Sequence, residues 1–123
     1  MKGRILIVDD DKALCEELAD YFQESGYIVD HVQLPSDGVE RVSRSRYDAL
    51  LLDYKMPQFD GIEFLQQTKE KIGGMKIFLI SGSPAVAQKL DEQGLSSFVS
   101  GVFPKPFDLR ALHSSLEKPV IAC

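Results

Sequence analysis

The sequence predicts a doubly wound α/β fold of the (βα)5 type, a parallel sheet with helices on both faces. Three observations carry the prediction. Apolar bursts alternate with amphipathic stretches along the chain. Several bursts are continuously apolar, as strands covered on both faces must be. The length of 123 residues suits one domain. Such a repeat favours right-handed crossovers, which make the strands parallel.

The first strand is "RILIV" (4–8), short and β-branched. A helix over 12–25 follows, with Leu14, Leu18, Tyr21 and Phe22 at helical spacing. Asp11 is placed to cap its start and Gly26 to end it. "YIVDHV" (27–32) is a mixed second strand, and Val39 and Val42 mark one side of a helix over 36–45. "YDALLLD" (47–53) gives the third strand. Asp60-Gly61 turns into a helix over 61–72 carrying Ile62, Phe64 and Leu65, stopped by Gly73-Gly74. "KIFLIS" (76–81) is the fourth strand. A helix over 84–93 has Pro84 in its first turn. "GVFP" (101–104) is the weakest strand, and Leu109, Leu112 and Leu116 line a last helix over 107–117. The domain is expected over 1–118, with 119–123 as a tail or linker stub.

Hydrophobic residues make up 44% and charged residues 27%, the balance of a globular chain. A net charge of −5 suggests no direct nucleic-acid binding. No apolar run approaches the ~20 residues of a membrane span. The N-terminus lacks the apolar core and cleavage site of a signal peptide. Cys15 and Cys123 have no metal-type spacing, and a reduced, cytoplasmic protein is expected. Cys15 reads as a helix-packing thiol, and the isolated His31 and His113 as surface or strand residues.

Sites in open parallel sheets form at the carboxyl ends of the strands. Here strand one runs into Asp9, Asp10 and Asp11, strand three ends in Asp53, strand four in Ser81-Gly82, and strand five near Lys105-Pro106. Asp11 is the expected helix cap, so the others are the candidates for chemistry. Clustered carboxylates repel and raise each other's pKa, which a helix N-terminus, a lysine or a cation must offset. Carboxylate oxygens select hard cations such as Mg²⁺. With a nucleophilic carboxylate present, the natural chemistry is phosphoryl transfer to Asp.

"ILIVDDD", "LLLDYKMPQFDG", "LISGS" and "VFPKPF", in that order, resemble the receiver domain of CheY-like response regulators of two-component signalling. The resemblance covers essentially the whole chain. It implies a flavodoxin-like fold with strand order 2-1-3-4-5. It implies Asp53 as phosphoacceptor, Asp10 as direct Mg²⁺ ligand, Asp9 acting through water, and the Lys55 backbone carbonyl as a further ligand. It assigns Ser81 and Lys105 to the phosphoryl oxygens, and implies a cis Lys105-Pro106 bond. Side chains two positions beyond the acceptor and beyond Ser81, here Lys55 and Ser83, would flank the path of the hydrolytic water. The implied partners are a sensor histidine kinase or phosphotransfer protein, and a downstream output protein or effector domain; a homodimer is possible, and no membrane is involved.

The chain departs from the family pattern in two places. Val102 stands where the family often has Tyr, Phe or His, and the interval from Ser81 to Lys105 is extended around 94–101. An intact phosphorylation site with an altered output face is therefore expected. Two other functions compete with a signalling module that is not an enzyme in the turnover sense. One is a Mg²⁺-dependent phosphohydrolase with an aspartyl-phosphate intermediate, against which stand the "YKMP" that follows Asp53 and the lack of a D-x-D-x-T/V motif at a strand end. The other is a degenerate receiver acting as a binding scaffold, against which stand Asp10, Asp53 and Lys105.

Overall fold

The computed structural model describes residues 2–118; the expected tail at 119–123 lies outside the described residues. Five strands, β1 (Gly3–Val8), β2 (Tyr27–Val32), β3 (Ala49–Asp53), β4 (Lys76–Ser81) and β5 (Gly101–Pro104), form one sheet in the order β2-β1-β3-β4-β5. Every pairing is parallel. The helices are α1 (Lys12–Glu24), α2 (Pro35–Arg44), α3 (Gly61–Thr68), α4 (Val86–Glu92) and α5 (Leu109–Glu117). This is the flavodoxin-like α/β architecture the sequence predicts.

Alternation along a strand explains the continuous apolar runs, because both faces are covered. Leu6, Val8, Leu50, Leu52, Ile77 and Leu79 point to the side carrying Val42 of α2, Phe64 and Leu65 of α3, and Val86 and Leu90 of α4. Ile5, Ile7, Leu51, Phe78 and Ile80 point to the other, against Cys15, Leu18 and Phe22 of α1 and Leu112 and Leu116 of α5. The edge strand β2 is more mixed because Ile28 and other alternate side chains reach the surface.

Three helices start under aspartate caps. Asp11 accepts from Leu14 N–H, Asp60 from Glu63 N–H, and Asp108 from Arg110 and Ala111 N–H. The last cap explains why α5 begins at Leu109 rather than 107. Helix α3 ends at Thr68, short of the expected 72. The Thr68 hydroxyl donates to Phe64 O at 2.8 Å, a turn closes from Lys71 N–H to Thr68 O at 2.7 Å, and Ile72 then drops into the core. Helix α4 begins at Val86, leaving Pro84 outside it, because the serines ahead of it form their own turn: Ser83 N–H donates to Ser81 Oγ and Ala85 N–H to Ser83 Oγ. Strand β3 starts at Ala49, since Asp48 turns its carboxylate to Arg4 N–H. The extended stretch before β5 contains a 3₁₀ turn, Ser96–Phe98, with Leu95 buried and Phe98 and Val99 packed against the core.

His113 is a correction to the sequence reading, for it is not isolated. Its Nδ1 lies 2.6 Å from Tyr21 Oη and its Nε2 3.0 Å from Glu117 Oε1, and Glu117 also pairs with Lys2. The contact spans α1 and α5, far apart in sequence, which is why spacing could not reveal it.

Candidate functional site

A parallel sheet brings all its strand ends to one edge, and this edge collects the predicted residues. Asp9 follows β1 directly, Asp53 and Ser81 are the last residues of β3 and β4, and Lys105 follows β5. Asp9 and Asp53 are 2% and 3% exposed, whereas Asp10 faces solvent. Carboxylate oxygens of Asp9, Asp10 and Asp53 all lie within 4.8 Å of one another. Lys105 Nζ reaches in to Asp53 Oδ1 at 3.1 Å and Asp9 Oδ2 at 3.5 Å. The Lys105-Pro106 bond is cis.

Local hydrogen bonds fix the two buried carboxylates differently. Asp9 N–H donates to Val32 O, and its Oδ1 accepts Asp11 N–H at 2.9 Å. Its Oδ2 is buried with no hydrogen-bond partner among the described residues. Behind Asp53 the backbone is pinned: Tyr54 N–H donates to Ile80 O at 2.9 Å and Gly61 N–H to Tyr54 O at 2.7 Å. A Cβ at Gly61 would come within 2.9 Å of Leu79 and 3.1 Å of Asp53 O, so glycine lets α3 start against the end of β3.

Burial raises the pKa of Asp53 to about 6, with the Asp9 charge adding to the rise and Lys105 opposing it. Burial also raises Asp9, against the Asp11 N–H and Lys105. Burial alone would lower Lys105, but its hydrogen bond to Asp53 and the two carboxylate charges hold it above the usual lysine value.

Around these groups lies a cavity of about 570 Å³ lined by Asp10, Asp53, Lys55, Ser81, Ser83 and Lys105. It offers a buried carboxylate to an electrophile, an ammonium and a hydroxyl to anionic oxygens, and oxygen ligands to a hard cation. One contact beside it escaped the sequence reading. Lys89 Nζ of α4 donates to Tyr54 Oη at 3.0 Å, linking α4 to the residue after Asp53. No spacing rule pairs a loop residue with a helix 35 positions on. Val102 sits on β5 with 39% exposure, and its neighbour Phe103 turns inward onto Phe78.

Residues 5–117 match the family model described as "Response regulator receiver domain". Among named relatives, response regulator MprA of Mycobacterium leprae is 38% identical over 112 residues, 89% of this chain and 47% of the relative. Response regulator receiver protein CpdR of Brucella abortus is 34% identical over 119 residues, 97% of this chain and 98% of the relative. The chain thus spans about half the length of the MprA relatives it matches, and nearly all of CpdR. Among solved structures, a CheY-like receiver domain protein of Methanospirillum hungatei superposes with TM-score 0.82 at 25% identity, covering 93% of this chain and 90% of that one. Response regulator TrrA of Thermotoga maritima, solved in complex with Mg(2+)-BeF, gives TM-score 0.78 at 25% identity, covering 93% and 96%.

Proposed function

The chain belongs to the response regulator receiver domain family, and on that premise we propose that it takes a phosphoryl group onto Asp53 and transmits the event by a change of shape. The observation that supports this most is the Asp53 carboxylate itself, buried, 3.1 Å from Lys105 and grouped with Asp9 and Asp10. The donor is the phosphohistidine of a sensor histidine kinase or phosphotransfer protein. The recipient of the signal is an output protein or an effector domain. The relatives that are about twice as long as this chain are consistent with either.

In the transfer, an Asp53 carboxylate oxygen forms a bond to phosphorus as the P–N bond to the donor imidazole breaks. The electron pair of that bond leaves with the nitrogen, which is protonated from solvent. Lys105 holds an oxygen of the transferring group by a charge-assisted hydrogen bond. Ser81 gives up its present role as acceptor from Ser83 N–H to donate to another oxygen. In the separate step of dephosphorylation water attacks phosphorus and gives its proton to solvent, and the acyl-phosphate P–O bond breaks to return the carboxylate and inorganic phosphate.

The residues fit a divalent cation. Three carboxylates face one ammonium, and the buried Asp9 Oδ2, 3.5 Å from that ammonium, has no hydrogen-bond partner among the described residues, so a further positive charge is favoured there. Asp10, Asp53 and the Lys55 carbonyl would hold Mg²⁺ directly and Asp9 through water. When bound, it supplies charge that neutralises phosphoryl oxygens.

Incubation with acetyl phosphate and Mg²⁺, followed by intact-protein mass measurement, tests the reading. The expected result is a gain of one phosphate per chain, absent in Asp53→Asn and released slowly. Rapid multiple turnover without accumulation would favour the phosphohydrolase alternative, and undiminished labelling of Asp53→Asn would remove the assignment.

A further inference from the structure

At the end of the sheet opposite Asp53, the segment after α2 faces the loop between α3 and β4 across a cavity of about 680 Å³. Arg44, Arg46 and Lys71 line it together with the hydroxyl residues Ser43 and Ser45. The chain carries a net charge of −5, so three cations in one concavity form a local reversal of sign. One carboxylate, Asp48, shares the wall, but its Oδ2 already accepts Arg4 N–H at 2.7 Å.

Folding accounts for some of the nearby positive charge. Arg41 pairs with Asp30, and Arg44 pairs with Glu40 one turn back, both in the last turn of α2 where cations are favoured. Lys76 donates to the carbonyls of Leu116 and Lys118. These explanations do not reach Arg46 or Lys71. Arg46 is exposed and has no carboxylate within 4.0 Å among the described residues. Lys71 Nζ donates to Ser43 Oγ at 3.1 Å, and Ser43 Oγ donates onward to Val39 O at 2.8 Å. That chain holds the ammonium at the cleft wall while leaving its remaining protons unused. Gly73 also lines the cleft, and a Cβ there would meet nothing within 4 Å, with φ not left-handed. Neither packing nor backbone requires glycine there, so a larger side chain can be placed at the cleft.

We propose that this cleft binds a small phosphate-bearing anion, gripped by the guanidinium of Arg46 and the ammonium of Lys71, with Arg44, paired with Glu40, lining the same cleft. Guanidinium forks match phosphate oxygens in pairs, and an ammonium adds a point charge. The volume of about 680 Å³ exceeds what one phosphate needs. The cleft is separate from the Asp53 site. The length of β3 lies between them, 5 residues at ~3.3 Å each.

The test is a two-dimensional NMR titration of the metal-free, isotope-labelled chain with inorganic pyrophosphate at constant ionic strength, with adenosine triphosphate as a second arm. Saturable shifts are expected at 43–48 and 71–75. Arg46→Ser and Lys71→Ser should each weaken binding about tenfold. Gly73→Glu, which the backbone accommodates, should abolish the response while Asp53 labelling by acetyl phosphate stays intact. Tighter binding of the nucleotide than of pyrophosphate identifies an organic phosphate as the ligand; equal binding identifies the bare phosphoanion. Non-saturating shifts, shifts centred on Lys105, or titrations unchanged in Arg46→Ser and Gly73→Glu would overturn the proposal.

Discussion

Two demands meet at Asp53. Its carboxyl must be ionised to act as a nucleophile, yet burial and the Asp9 charge raise its pKa from 3.8 to about 6. The native state therefore holds this proton more tightly than the unfolded chain does. The resulting stability is complete below about 4, near the unfolded pKa, and is lost as pH rises through about 6. Asp53→Asn removes that loss. In metal-free thermal melts the variant should be more stable than wild type at neutral pH by something of order 1–3 kcal/mol, and the gap should close toward pH 4. A gap independent of pH would mean that Asp53 is not strained by its burial. At this scale the sequence was legible where a residue directly ends an apolar strand, as Asp9, Asp53, Ser81 and Lys105 do. It was silent on Tyr54–Lys89 and on His113, whose contacts depend on how separate elements lie side by side.

Elements reach the site only because they pack closely enough, and Gly38 shows how closely. A Cβ there would fall 2.8 Å from Phe64 and 2.9 Å from Val8, so α2 touches both α3 and β1 at that point. Alanine would gain up to about 1 kcal/mol of helix propensity. Overpacking a full core costs about 1–3 kcal/mol, so Gly38→Ala should lower stability by on the order of 1 kcal/mol, measured as a shift of the denaturant midpoint. A midpoint that rises instead would show that α2 can move away freely. The strands were legible because burial on both faces writes itself as continuous apolar residues. Helix ends were less so: Thr68, Ser83 and Asp108 each redirect a backbone group with their own side chains, and these local bonds moved the ends of α3, α4 and α5 inward.

For the whole molecule, the arrangement is a folded scaffold that holds three carboxylates against one lysine. On the proposed reading, Mg²⁺ binds the native state and not the unfolded chain, so adding it should raise the melting temperature by mass action. Asp10→Ala should abolish that rise, since the exposed Asp10 is a direct ligand in the proposal and plays no part in the core. A rise undiminished in Asp10→Ala would place the cation elsewhere. Parallel crossovers made the sheet legible, but its strand order β2-β1-β3-β4-β5 was legible only through the family resemblance, and the altered region near β5 only as a departure from it. The structure shows its physical form: Val102 exposed, Phe103 inward, and Leu95, Phe98 and Val99 of the extension packed on the core while its serines face solvent.

The central claim is that one particular carboxylate carries the phosphoryl group. Hydride reduction of the labelled protein converts an aspartyl phosphate to homoserine, and peptide mass mapping then locates the change. Labelling with acetyl phosphate and Mg²⁺ followed by borohydride should place homoserine at position 53 alone. Homoserine at position 9 or 10 instead, or at no position in a protein that has gained phosphate mass, would contradict the account.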